Sequence, residues 1–499
     1  MSDQSLFNRL AKFGDRPFLI TDHGTHTYAE IADRAARFGS LLQAKGVQRG
    51  DHVALLAGNS AAYIVAWFGI SMTGAVLVAL NNQLLADGLR YTVDQSESKI
   101  IVADRAWHEK LGNQLTEDQR KLPLVLIGSD EDFFESLSPF EQIEAVSPEP
   151  WDTATILYTS GTTGLPKGVM NSYHAYEATG LATANLVGLH SEDRILVFLP
   201  LFHVNPQMFA VMGAITVGAS IIIRPKFNAS TFFDDARRFD ATGCTFVGTV
   251  LALLVNRHPG VQKDHRLRFC IGGGAAPEVW SAIEERFGFP INESYGMTEI
   301  GGWTSSNSLK DTRFGSVGRV REDIELRVVD PQDRPVPPGV RGEIVARPRE
   351  PFAVMSGYWN KPDKFVEATR NLWFHTGDIG SFDADGYLYF HGRIKELIRR
   401  GGEMISPVEM ETRLITMPGV EDCAIVGVPD AVMGEEVKAV VVAGEPIEPA
   451  AIRSFLADHF PPYMLPRYVR FIDVIPKTAT QKIQRGELTA LDASVADLR

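Results

Sequence analysis

Cysteine is nearly missing from this chain. Cys244, Cys270 and Cys423 are the three that its 499 residues carry. Odd in number and far apart in sequence, they supply neither a disulfide framework nor the paired spacing of a zinc site. They read as small buried hydrophobes in a reducing, cytoplasmic setting. A basic surplus is missing too: 49 Lys+Arg against 62 Asp+Glu leave a net charge of −13. That balance argues against a nucleic-acid partner, which asks for a basic face. No low-complexity tract and no internal repeat is visible. The opening MSDQSLFNRLAKFGDRP is polar, with scattered charges, so no secretory signal is expected.

Charge itself is missing over one long stretch. From His52 to Ala86 there is no Asp, Glu, Lys or Arg. AAYIVAWFGISMTGAVLVAL inside it is long enough to span a membrane. Its punctuation points elsewhere. Ser60 stands as an N-cap and Gly74 as a helix stop, so SAAYIVAWFGISMTG predicts a buried helix. AVLVAL then predicts a short buried strand, and no stable membrane insertion is expected.

What is present in quantity is α/β alternation. HVALLA, KIIVAD, LPLVLIG, RILVFLP, ASIIIRP, CTFVGTV and LRFCIGGG recur between helical stretches. They predict two mainly parallel α/β subdomains. After about Asp311 the runs IELRVVD, GEIVAR and GYLYFHG, parted by PPGVRG and DADG, predict a small antiparallel β subdomain. From about Lys395 a compact α+β tail follows, near the common domain size. The expected division is a large N-terminal domain over 1–394 and a small C-terminal domain over 395–499.

The string YTSGTTGLPKGVM, from Tyr158 to Met170, is too polar and too rich in glycine to be core. Glycine lets backbone N–H groups approach an oxyanion, and the hydroxyls of Thr159, Ser160, Thr162 and Thr163 add donors. Lys167 adds a compact positive charge. The string reads as a phosphate-gripping loop between the strand ATILY and a helix. It is not a Walker A loop, because Gly164 is followed by Leu165, Pro166 and Lys167.

The string also resembles the signature loop of the adenylate-forming superfamily: acyl-CoA synthetases, peptide-synthetase adenylation domains and firefly-type luciferases. Further segments resemble the family in family order and over nearly the whole chain. They are LPLFHV (Leu199 to Val204), GGGAAP (Gly272 to Pro277), ESYGMTE (Glu293 to Glu299), FHTGDIG (Phe374 to Gly380), GRIKELIRRGGEMISPVEME (Gly392 to Glu411) and PKTATQK (Pro476 to Lys482). The resemblance implies activation of a carboxylate by ATP as an acyl-adenylate, with loss of pyrophosphate, and then capture by a thiol. Such chemistry is mostly positioning and charge neutralisation.

The roles implied are specific. Thr159, Ser160, Gly161, Thr162, Thr163, Gly164 and Lys167 would hold the leaving phosphates. Glu299, with Thr159 or Ser160, would coordinate Mg²⁺, a hard cation that prefers oxygen. Gly273, Gly274, Ala275 and Ala276, with Glu293, Ser294, Tyr295, Gly296 and Thr298, would take adenine. Asp378 would accept the ribose hydroxyl protons, and Arg393 would approach ribose or the α-phosphate. Lys482 would bridge the carboxylate and the α-phosphate; Lys477 is the other lysine of that loop. The family usually has glycine before this lysine, and Gln481 stands there instead. Were φ positive at that position, glutamine would add strain of about 1 kcal/mol or more.

Lys395 matches the family's pivot, about which the small domain turns between steps. Gly401 and Gly402 would let a pantetheine arm pass, and Arg399 would face CoA phosphate. Ser406-Pro407-Val408-Glu409 reads as a capping box that starts a helix. The acid pocket would be lined by His203, Val204, Asn205, Gln207, Thr249, Gly272, Gly301, Gly302 and Trp303. His203 stands where amino-acid-activating relatives commonly carry aspartate, and Asn205 and Gln207 suggest an acid smaller or more polar than a long fatty chain. The chain looks a little like crotonobetaine/carnitine and medium-chain acyl-CoA ligases. ATP, Mg²⁺, CoA and a small carboxylic acid are therefore the expected ligands, and a homo-oligomer is compatible. The rival readings are an enzyme that loads a carrier-protein phosphopantetheine and a non-catalytic nucleotide-binding homologue.

Overall fold

The computed structural model describes residues 6–84, 86–107, 114–159, 165–401, 403–477 and 483–498. They form two compact units, Met1–Leu326 with Ala346–Phe374, and Arg327–Val345 with His375–Arg499.

The first unit is built on two sheets. One has seven strands in the order Gly357–Tyr358, Lys167–Ser172, Thr153–Thr159, Val76–Ala79, His52–Leu56, Ile100–Asp104, Leu124–Ile127. From Thr153–Thr159 to Leu124–Ile127 its neighbours run parallel, and Lys167–Ser172 and Gly357–Tyr358 add antiparallel at one edge. The other has nine strands, with Gly243–Val247 between Arg194–Val197 and Phe269–Gly273, all parallel. HVALLA, KIIVAD, LPLVLIG, RILVFLP, ASIIIRP and LRFCIGGG each contain one of the parallel strands of these two sheets, and the first half of CTFVGTV lies in another. A strand buried on both faces carries no polar alternation, which is why these runs are continuous.

The charge-free stretch resolves as its punctuation predicts. Ala61–Met72 is a helix whose N-cap Ser60 accepts a hydrogen bond from the Tyr63 N–H, and all twelve of its residues are buried. Gly74 takes φ +75°, which ends the helix, and Val76–Ala79 follows as a parallel strand. Full burial of a Val, Ile or Phe side chain is worth about 1.5–3 kcal/mol, so the protein core is solvent enough for this helix. Among the described residues no helix is long and apolar enough to cross a membrane.

The second unit holds most of a four-stranded sheet in the order Ile324–Val329, Gly342–Pro348, Phe374–Phe382, Leu388–Arg393. It also holds a six-stranded sheet around Gly434–Ala443, which pairs antiparallel with Val420–Asp430 and parallel with Tyr468–Phe471. Helices Pro407–Leu414 and Pro449–Ala457 bury Met410, Leu414, Ile452 and Leu456 against it. Ser406 caps the first of these, accepting from the Glu409 N–H at 3.4 Å. The reciprocal half of the expected capping box is replaced. The Glu409 carboxylate pairs instead with Arg341 at 3.1 Å and His391 at 3.5 Å.

Candidate active site

The glycine- and threonine-rich string corrects one expectation. It joins two strands, not a strand to a helix: Thr153–Thr159 pairs antiparallel with Lys167–Ser172, with Thr159 opposite Lys167. The helix Tyr173–Leu186 begins only after the second strand. GVMNS continues the alternation of a strand, and its capping signal, Ser172, comes five residues after Lys167. Tyr158 braces the hairpin by donating to the Thr92 carbonyl at 3.2 Å. Ser160, Gly161, Thr162, Thr163 and Gly164 lie outside the described residues.

At the hairpin's base stands Glu299, buried in the 3₁₀ turn Thr298–Ile300. Its Oε1 accepts from Thr159 Oγ1 at 3.0 Å and from the Tyr358 hydroxyl at 3.4 Å. The Lys167 ammonium lies over the Tyr358 ring, 4.5 Å from its centroid, a cation–π geometry. Burial, and then the Glu299 carboxylate, hold the Tyr358 phenol far above its usual range, so it stays a donor. Tyr358 was not legible as a site residue. It stands 59 positions from Glu299 and reaches it because Tyr358 pairs with Val169 at the sheet edge.

The segment expected to take adenine lies where the parallel strands Phe269–Gly273 and Ile291–Met297 adjoin. Glu293 Oε1 accepts from the Gly274 N–H at 2.7 Å and Oε2 from the Ala275 N–H at 3.0 Å. Burial pushes its carboxyl up to about 8, with the two N–H donors pulling the other way. Glu293 thus holds the turn at Gly274–Ala275 from below. The strands here meet backbone to backbone: a Cβ at Gly248 would stand 2.0 Å from the Gly274 carbonyl oxygen. Ser294 and Tyr295 are buried in the next strand, Ile291–Met297, while Gly296 and Gly274 are exposed and Gly273, Ala275, Ala276 and Thr298 half-buried.

The proposed acid-lining residues divide into two kinds. His203, Val204 and Asn205 are half-buried, and Asn205 opens a π-helical turn, Asn205–Val211. Such turns recur at functional sites. Thr249 is exposed at the start of the helix Gly248–Arg257. Gln207, Gly272, Gly301, Gly302 and Trp303 are buried. The Gln207 amide accepts from the Tyr176 hydroxyl and donates to the Leu201 carbonyl. The Trp303 indole N–H donates to Thr183 Oγ1 at 2.8 Å.

In the second unit, Asp378 and Arg393 are register partners on antiparallel strands, and Arg393 Nε lies 3.2 Å from Asp378 Oδ1. Glu343 shapes the turn before Asp378, accepting from the Gly377 N–H at 3.1 Å and bonding His375 Nδ1 at 2.9 Å. Glu343 went unnoticed in sequence, where RGEI reads as an ordinary strand start. Lys395 is exposed in the 3₁₀ turn Ile394–Glu396. Arg399 and Gly401 are exposed, and Gly401 takes φ +59°. Lys477 is engaged at the foot of its loop: its ammonium pairs with Asp422 at 2.6 Å and its backbone bridges to Ile483. Gly402, Gln481 and Lys482 lie outside the described residues.

The oxygen donors fit a magnesium ion. Among the described residues no group of three or more His, Cys, Asp or Glu could cage a metal. A carboxylate and a hydroxyl 3.0 Å apart, Glu299 and Thr159, make the sparse all-oxygen set that Mg²⁺ uses when phosphates and water complete its shell.

Comparison with known proteins agrees with this geometry. Residues 6–359 match the AMP-binding enzyme family, and residues 409–482 match the AMP-binding enzyme C-terminal domain. The chain is 33% identical to a sulfoacetate–CoA ligase of Cupriavidus necator over 96% of each chain. It is 30% identical to a crotonobetaine/carnitine–CoA ligase of Salmonella choleraesuis, over 95% of this chain and 96% of that one. Its structure resembles that of an anthranilate CoA ligase in complex with anthranoyl-AMP, with a TM-score of 0.87 and 27% identity over 97% of this chain and 96% of the other.

Glu293 yields a prediction. A carboxyl raised to about 8 in the folded state is most stabilising when protonated. That contribution is complete below the unfolded pKa and is lost as pH climbs to about 8. Wild-type protein should therefore lose stability between about pH 5 and about pH 8, and E293Q, which cannot titrate, should lose less. Thermal midpoints at the two pH values measure this; equal slopes would remove Glu293 from the account.

Proposed function

This chain belongs to the AMP-binding enzyme family, and from that premise we propose how its residues divide the work. It is an ATP-dependent carboxylate–CoA ligase. The acid's carboxylate oxygen attacks the α-phosphorus of ATP, pyrophosphate leaves, and an acyl-adenylate forms. The CoA thiol then attacks the acyl carbon, AMP leaves, and the thiol proton passes to solvent.

The observation that carries the assignment is the cluster around Glu299, where Thr159, Tyr358 and Lys167 converge at the base of the glycine-rich hairpin. Lys167 and the hairpin would take the β,γ-phosphates. Thr159 and Glu299 would hold Mg²⁺, which neutralises phosphate charge when bound. Glu293 holds the turn on which adenine would lie beside Tyr295. Asp378 would receive the ribose hydroxyls, with Arg393 aiming its carboxylate. Lys482 would bridge the attacking carboxylate and the α-phosphate. Lys395 would be the pivot between half-reactions, with Gly401, Gly402 and Arg399 serving CoA in the second. We place the reaction in the cytoplasm, where ATP and CoA are both supplied.

The acid is small and polar in this reading. Gln207 and Trp303 are tied into the core by hydrogen bonds, and Asn205 and Gln207 bring polar groups to the expected lining. Asn205 Oδ1 is buried with no hydrogen-bond partner among the described residues, so a substrate donor would be welcome there. The similar ligases named for sulfoacetate, for crotonobetaine or carnitine, and for anthranilate fit the same class.

Pyrophosphate release over a panel of short polar, aryl, betaine-type and long aliphatic acids, with and without CoA, tests the assignment. Release with a small polar acid, quickened by CoA as thioester appears, is expected. Release that ignores CoA would point to a carrier-protein acceptor, and release only with long acids would overturn the substrate class. K482A should abolish adenylate formation yet spare thioester formation from supplied acyl-AMP; equal loss of both would sink its role. K395P should leave pyrophosphate release largely intact and block thioester formation, and wild-type rates of both would contradict the pivot.

A further inference from the structure

Arg321 is a buried guanidinium that no step above uses. It follows the edge strand Arg319–Val320, and its N–H bonds to the Thr304 carbonyl at 2.8 Å. Its side chain turns back beneath the segment that follows Glu299. Nη1 donates to the Trp303 carbonyl at 2.7 Å, to Thr179 Oγ1 at 2.9 Å and to the Gly301 carbonyl at 3.3 Å. Nε and Nη2 donate to the two carboxylate oxygens of Asp323 at 2.6 and 3.0 Å. Thr179 Oγ1 itself donates to the Gly301 carbonyl at 2.8 Å, and Thr183 takes the Trp303 indole.

This is an expensive way to fill space. A buried ion pair gives up the hydration of both charges, and an apolar side chain of similar size often serves stability as well or better. What an apolar residue cannot do is fix carbonyl positions. The planar fork of arginine presents several donors at set angles, and here they fall on the two carbonyls that bracket Gly302. A lysine, one point charge on a flexible stem, cannot serve both carbonyls and Asp323 together.

We propose that Arg321 is a positioning residue that sets acid selectivity by holding the Gly301–Trp303 wall of the acid pocket, with Asp323 aiming its guanidinium. This rests on the reading that Gly301, Gly302 and Trp303 line that pocket. The side-chain acceptors of Arg321 lie on Gly301, Trp303, Thr179 and Asp323, none of them assigned to the nucleotide, so KM for ATP serves as the control. A small shift of a pocket wall changes which acid fits, because a pocket tells acids apart by single methylenes.

The test compares two acids of different bulk that the wild-type enzyme activates. The ratio of their kcat/KM values is measured in R321K and in D323N, with KM for ATP alongside. Loss of folded enzyme lowers both rates alike and leaves the ratio unchanged. A displaced wall should change the ratio by about tenfold in R321K and by less, in the same direction, in D323N, while KM for ATP stays within about twofold. An unchanged ratio in both variants, or a rise in KM for ATP with the ratio unchanged, overturns the proposal. Should R321K not fold, the D323N ratio decides alone. A wild-type enzyme that activates no acid at all would instead defeat the ligase reading, before any variant is made.

Discussion

A carboxylate without much water is the constraint on which the nucleotide side of this protein rests. Glu299 is buried, and burial of a charge is costly unless hydrogen bonds compensate. The hydroxyls of Thr159 and Tyr358 do so from two separate strands of one sheet. Holding that carboxylate therefore also fixes the foot of the glycine-rich hairpin, the edge strand Gly357–Tyr358 and the ammonium of Lys167 above the Tyr358 ring.

Around that centre the protein relies on main chain more than on side chains. The strand Phe269–Gly273 ends in glycines because backbone meets backbone there; a side chain at Gly272 would stand 2.1 Å from the Phe246 carbonyl oxygen. Polar side chains then brace the main chain of these turns. Glu293 holds the N–H groups of Gly274 and Ala275, and Arg321 holds the carbonyls of Gly301 and Trp303. Both are ionisable groups buried without direct chemistry to perform, and both are satisfied by the backbone they position. The second unit repeats the device, with Glu343 shaping the turn that presents Asp378.

Sequence patterns carried a large share of this. Strand identity was legible because a strand buried on both faces is an unbroken apolar run. The helix Ala61–Met72 was legible because Ser60 and Gly74 mark its ends. Thr159, Lys167, Glu293, Glu299, Asp378 and Arg393 stood out in sequence because short motifs hold them, and the structure joins Thr159 to Glu299 and Asp378 to Arg393. Where local patterns were followed too far, they misled. The glycine-rich string suggested a strand-to-helix loop, and the chain makes a hairpin, because GVMNS finds the free edge of Thr153–Thr159 before a helix can start. The Ser406 box suggested a reciprocal cap, and Glu409 left it for Arg341 and His391.

By itself, then, the sequence determined the α/β class, the motifs and the chemistry they carry, since these depend on residues close together along the chain. Only the tertiary structure decided which side chains complete the site. Tyr358 meets Glu299 across 59 positions, and Arg321 meets Thr179 across 142. Such pairings are set by the packing of strands and helices far apart in sequence, and strand register is a property of the whole sheet, not of any segment in it.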